Sequence, residues 1–280
     1  MKLGNVYTNC RISAATLLLV GLVACAQGGP GDAEQRSDAA TDKEVVAALM
    51  RAGEASRQRG DYPAAAAFYR RAQNADPKAI EPLIGMGEAM AAGGVGRESA
   101  DAFRRALVID ERNSRALRGL GNALIAQDQS DLAIEQFEKA LAVDPRDYRA
   151  YSGLGVAYDS LAEHTKAQEY YYAGLEIAPD DTLLRNNLGL SLAFAGHYKG
   201  AIEILRPLAL RPGATARDRQ NLALVYGLSG DVVQAKKFSR LDMDNREVER
   251  NLSYYAALRS IADPVLRVKS VRAGYAMTPR

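Results

Sequence analysis

The side chains with the widest chemical reach in this chain are two cysteines, Cys10 and Cys25, and two histidines, His164 and His197. A thiol can attack, chelate or cross-link, and an imidazole can move a proton near neutral pH, but each needs partners at set spacing. Both histidines fall in turns, away from any carboxylate or cysteine at ligand or triad spacing, and read as solvated turn residues. The pairs Gly85-Met86-Gly87, Gly119-Leu120-Gly121 and Gly153-Leu154-Gly155 superficially suggest phosphate-binding loops. They follow no strand and recur every 34 residues, which makes them packing positions and not a nucleotide fingerprint. No metal, cofactor or nucleophile–base constellation is expected, so the chain does not read as an enzyme. What remains is polar recognition: Arg118 and Asn122 lie one helical turn apart, near Arg149 of the following unit, and together could hold a carboxylate or an extended peptide. The alternative is that they are ordinary solvated residues on a helical surface.

Charge narrows the partners. There are 36 Lys+Arg against 34 Asp+Glu, and Lys2 and Arg11 lie in an acid-free stretch of 24 residues, so the remainder is balanced. No field of that kind recruits nucleic acid, and neither a nucleic acid nor a small-molecule substrate is expected.

The amino terminus carries its own chemistry. Two positive charges in residues 1–11 precede an apolar run of thirteen residues, Ile12 to Ala24, and then Leu22-Val23-Ala24-Cys25. Such a run spans only about 20 Å as a helix, short of the roughly 30 Å hydrocarbon core, and reads as an export signal over 1–24. The final four residues resemble the bacterial lipoprotein box, which implies lipidation of Cys25 as the first residue of the mature chain. A plain secretory peptide ending in cysteine is the alternative. Cys10 would leave with the peptide, and the remaining sulfur, blocked by lipid, could form neither disulfide nor metal site. Ala26 is not the Asp that resembles an inner-membrane retention signal, so the outer membrane, periplasmic face, is expected. Residues 25–41 read as the lipidated cysteine and a flexible tether, because 26–41 show no apolar period.

From Val46 the sequence matches itself at an offset of 34: Gly53, Gly87, Gly121, Gly155 and Gly189; Ala65, Ser99, Ala133, Ala167, Ala201 and Ala235; and Tyr69, Phe103, Phe137, Tyr171 and Leu205. Within one unit, Leu117, Leu120 and Leu124 recur at helical spacing, as do Ala133, Phe137 and Ala140 after a break at Asp128-Gln129-Ser130. Pro77, Pro145 and Pro179 close second helices. This pattern resembles the tetratricopeptide repeat. It predicts an all-α, right-handed superhelical solenoid over 42–241, six helical hairpins starting near residues 46, 80, 114, 148, 182 and 216. Pro207 should kink or shorten the second helix of unit five. Asp244 with Glu247 forms a capping-box pattern that starts a capping helix over 242–262, and the basic segment 263–280 reads either as a flexible tail or as a contact site. In this fold the groove is lined from the first helices, which selects Arg115, Arg118, Asn122, Ile125, Arg149, Ser152, Val156, Asp159, Leu183, Asn186 and Leu190.

A narrower likeness lies toward the carboxyl terminus. Asn187-Leu188-Gly189-Leu190-Ser191-Leu192-Ala193, Pro207-Leu208-Ala209, Asn221 to Asp231 and Arg250-Asn251-Leu252-Ser253-Tyr254-Tyr255 resemble the TadD family, the tetratricopeptide lipoproteins of the tight-adherence (Flp) pilus apparatus. That resemblance includes Pro207 and implies a non-catalytic, lipid-anchored scaffold whose protein partners are a secretin or another pilus-assembly subunit. The other readings are a type IV pilus pilotin, another envelope scaffold, or an accessory scaffold for an envelope enzyme such as a cell-wall hydrolase.

Overall fold

A computed structural model describes residues 30–277, with side chains from 43 to 271. Residues 1–24, read as an export signal, and Cys25, read as the lipidated residue, lie outside the described residues. The chain divides into units 1–41 and 42–280. Among the described residues the structure is all helical: α1 Pro30–Gln58, α2 Tyr62–Ala75, α3 Glu81–Ala92, α4 Gly96–Ile109, α5 Ser114–Ile125, α6 Ser130–Val143, α7 Tyr148–Ser160, α8 His164–Ile177, α9 Thr182–Phe194, α10 Tyr198–Leu210, α11 Ala216–Ser229, α12 Val232–Ser239, α13 Asn245–Ser260 and α14 Pro264–Met277. Each helix from α2 to α12 packs on its chain neighbour, and alternate helices α3, α5, α7, α9 and α11 also touch in sequence, the arrangement of a tetratricopeptide solenoid. No described helix is long and apolar enough to cross a membrane.

The 34-residue period is a packing device. Ala65, Ser99, Ala133, Ala167, Ala201 and Ala235 are all fully buried, and the large residue four positions later is at most 2 % exposed in each of the first five units. Each ring of the first three units is clamped between a glycine of its own first helix and one of the next. A Cβ added at Gly121 would stand 2.7 Å from the Phe137 ring, and one at Gly153 would stand 2.4 Å from it. In the fourth unit, a Cβ at Gly155 would meet Tyr171 at 2.3 Å. The absence of a side chain at these positions is what lets three helices meet around one aromatic.

The turn inside each hairpin repeats as strictly. Gly60, Gly94, Asp128, Ala162, Gly196 and Gly230, 34 residues apart, all have left-handed backbone. The next residue's N–H returns to a carbonyl five residues back: Gln129 to Leu124 at 3.0 Å, Glu163 to Tyr158 at 2.9 Å, Asp231 to Tyr226 at 2.9 Å. This is the Schellman closure, which satisfies carbonyls otherwise orphaned at the helix end. First helices α5, α7, α9 and α11 start on side-chain caps: Asn113, Asp147, Asp181 and Thr215 each accept from an N–H of the turn that follows.

Two boundary expectations are corrected. Within the tether read over 25–41, residues 30–41 are helical as the start of α1. Ala33, Glu34, Gln35, Ala39 and Ala40 are strong helix formers, and an apolar period reports burial of a face, not helicity itself. Pro207 leaves its helix slightly shorter, as expected: α10 has 13 residues against 14 in α2, α4, α6 and α8, and runs three residues beyond the proline to Leu210. A proline so near the helix end removes one donor only, and buried Leu208 and Ala209 hold the last turn. Within the segment 263–280, read as flexible or a contact site, residues 264–277 form α14, with Val268 and Val271 each 3 % exposed. The expected capping box is present at α13, where Asp244 Oδ1 accepts the Glu247 N–H at 2.8 Å and Glu247 Oε2 accepts the Asp244 N–H at 2.9 Å. α13 packs where a seventh unit would begin, and its Tyr255 fills the space over Gly227. Burial pushes that phenol up to about 12.

Candidate functional site

The first helices α5, α7, α9 and α11 line a groove of about 610 Å³, closed on one side by Val268 and Val271 of α14. Its floor is apolar, with Ile125, Val156, Leu190 and Phe194, and its polar groups include Asn122, Ser152 and Asn187. Three arginines reach it. Arg118 is paired with Asp147, which is buried and also caps α7, so this guanidinium is fixed in place. Arg149 lies over the Tyr148 ring at 5.4 Å and Arg217 is exposed; neither has a carboxylate within ion-pair distance among the described residues. Two guanidinium groups beside an apolar floor suit a segment that carries both hydrophobic side chains and a carboxylate.

Beneath the groove lies a buried polar cluster. Asp159 Oδ1 accepts from Ser191 Oγ at 2.8 Å and pairs with His164 Nδ1 at 2.7 Å, while Oδ2 accepts from Tyr171 OH at 3.0 Å. Burial raises the Asp159 carboxyl above its ordinary value, against the opposing bonds from His164, Ser191 and Tyr171. Burial also pushes Tyr171 well up, helped by the neighbouring Asp159 charge. Although the residue types echo a hydrolytic triad, Ser191 is fully buried and donates to the carboxylate, and His164 Nε2 has no partner. The cluster therefore ties α7, α8 and α9 together and presents no activated nucleophile. The reading of His164 as a solvated turn residue is corrected: it is 8 % exposed and starts α8. The signal for it was a carboxylate five residues earlier, across the hairpin turn.

The expected groove residues divide. Arg118, Asn122, Arg149, Asp159 and Leu190 all line this groove, with Asp159 committed to the buried cluster. Arg115 does not; it forms a two-point pair with Glu88 at 2.8 and 2.7 Å in a separate cleft near α1 and α3. Asn186 is buried between α9 and α11, donating to Thr182 O at 2.9 Å and Asp218 Oδ1 at 2.8 Å and accepting from Asn221 at 2.8 Å. Burial opposes ionisation of Asp218, yet bonds from Thr215 and Asn186 and the charge of Arg211 hold its carboxyl below the ordinary range. With Asn186 turned inward, the next residue, Asn187, faces the groove and donates to Ser152 Oγ at 3.2 Å. Sequence reasoning missed Asn187 and Arg217, although Arg217 holds the same slot in unit six as Arg149 in unit four. No group of three His, Cys, Asp or Glu among the described residues could hold a metal ion.

Helical hairpins stacked at a 34-residue period around glycine-clamped rings form a solenoid of the tetratricopeptide type. The tetratricopeptide repeat family model matches residues 19–80 and 118–182. Among solved structures, Pseudomonas aeruginosa pilF is 20% identical, with a TM-score of 0.60 over 76% of this chain and 99% of that one. A tetratricopeptide repeat protein from Parabacteroides merdae is 14% identical, with a TM-score of 0.64 over 81% of this chain and 95% of that one. A MamA fragment from Desulfovibrio magneticus is 24% identical, with a TM-score of 0.50 over 57% and 91%. These likenesses concern the fold. No curated protein matches the chain. The repeat fold is a scaffold for protein–protein contact.

Proposed function

We propose that this protein is a lipid-anchored scaffold that holds a segment of a partner subunit in the α5–α11 groove while the tight-adherence (Flp) pilus apparatus assembles. The observation that carries the binding reading is the groove itself: an apolar floor flanked by Arg149 and Arg217, two cations without carboxylate partners among the described residues. The resemblance of 187–193, 207–209, 221–231 and 250–255 to the TadD family supports the pilus context. In this reading Cys25 carries the acyl chains, which hold the solenoid to the periplasmic face of the outer membrane. Confinement raises the effective concentration of groove and partner, so a weak segment interaction suffices for assembly.

The test is co-purification of the full-length lipidated chain from gently solubilised envelopes, beside Cys25→Ser and Arg149→Glu/Arg217→Glu variants. A secretin or pilus-assembly subunit should be recovered with the wild type, reduced with Cys25→Ser, and lost with the arginine double variant. Recovery of a cell-wall hydrolase in its place overturns the pilus reading, and undiminished recovery with the arginine variant overturns the groove.

A further inference from the structure

α14 does not extend the stack. After α13 the chain turns at Ile261–Asp263, with Asp263 Oδ1 accepting the Leu266 N–H at 3.1 Å, and α14 runs back to touch α7, more than a hundred residues earlier in the sequence. Among the described residues, Val268 and Val271, three residues apart and so on one helical face, are the two side chains it puts into the groove. Val271 also joins a buried cluster with Leu222, Tyr255 and Leu258. Tyr254 OH donates to Ser270 O at 2.7 Å, and Arg267 donates to Ile261 O within its own connection. No described ion pair joins α14 to α5, α7, α9 or α11, and Leu266 and Lys269 face solvent.

The charges of groove and helix also disagree. Residues 264–280 contain Arg267, Lys269, Arg272 and Arg280 and no acid, while Arg149 and Arg217 on the groove form no ion pair among the described residues. Thus α14 satisfies the apolar floor with two small side chains and leaves both cations unmet. Resting on the groove reading above, we infer that α14 is a built-in, displaceable occupant of the groove, and that the segment replacing it is an acidic amphipathic helix with small apolar residues three apart and carboxylates beside them. Such a segment takes the valine seats and adds the ion pairs that α14 cannot make. Occupancy by α14 lowers the apparent affinity of the groove by the fraction of molecules in which it is open.

The experiment uses the full chain and a synthetic peptide of residues 264–277, fluorescently labelled. Val268→Asp/Val271→Asp should unseat α14 and raise binding of the peptide in trans at least about tenfold over the wild type, by release of that occupancy. The same peptide carrying both Asp substitutions should not bind. Val268→Ser/Val271→Ser, which places no charge in the groove, should give the same direction if the Asp variant loses helicity. Equal binding to wild type and variants, or binding to none of them, overturns the inference. A second probe, a model helix with Val at two positions three apart and Glu beside them, should compete with the 264–277 peptide. Peptide capture by the opened groove without such competition overturns the acidic partner. Partner recovery that ignores the arginine variant counts against the proposed function alone, since the trans-peptide result decides the occupant independently.

Discussion

An alanine at Gly153 would set its methyl 2.4 Å from Cε1 and Cζ of Phe137, against about 3.5–4.0 Å for a comfortable carbon contact. The ring cannot recoil, because Gly121 holds its other side with only 2.7 Å to spare for a Cβ and Phe137 has no exposed surface. Overpacking of this kind costs about 1–3 kcal/mol. Removing a helix-interior glycine returns about 1 kcal/mol, so Gly153→Ala should destabilise by up to about 2 kcal/mol net. Phe137→Ala alone should cost about 3–5 kcal/mol by leaving a cavity. In that background the new methyl at 153 has room, and the same Gly153→Ala change should become stabilising by up to about 1 kcal/mol. The resulting coupling of about 2 kcal/mol lies within the range for contacting residues. Urea unfolding of the four proteins, followed by far-UV circular dichroism, measures it. A Gly153→Ala effect of the same sign and size in both backgrounds would refute the clamp, and with it the reason for glycine at this slot of the repeat.

Two further outcomes follow from the turns and the buried cluster. Ala162 sits at φ 61° in a slot that Gly60, Gly94, Gly196 and Gly230 fill elsewhere, so Ala162→Gly should raise the urea midpoint, by about 1 kcal/mol, and a drop would contradict the strain. Asp159 has a folded value raised above the ordinary 3.8, so the native state binds more proton than the unfolded chain in that window, and this group's contribution to stability falls as pH rises through it. Asp218, held below 3.8, has the opposite sign: its contribution is present above that value and lost as pH falls. Asp159→Asn should therefore flatten the decline between pH 3.8 and the raised value, and stability–pH curves parallel to the wild type would reject the assignment.

The repeat was legible because its physics is local and periodic. Glycine, alanine and aromatic slots recur at 34 residues since each hairpin must solve the same packing problem, and the capping box at Asp244 needs only two residues and a spacing. Nine of the eleven selected groove residues reach the groove for the same reason, while Asn186 and Asn187 show the limit. Which of two adjacent amides faces the groove depends on the rotation of α9 against α11, settled by Asp218 and Asn221, some 30 residues away. Likewise the sequence carries an aspartate and a histidine five apart, but only the meeting of α7, α8 and α9 makes them one buried network with Tyr171 and Ser191. The fate of α14 was least legible of all. Two valines in a basic stretch give almost no period, and their burial depends on contacts that reach back to α7, more than a hundred residues before them. Local periodicity thus determined the solenoid, and tertiary packing decided which side chains face the groove and what lies in it, because those depend on contacts between residues far apart in the chain.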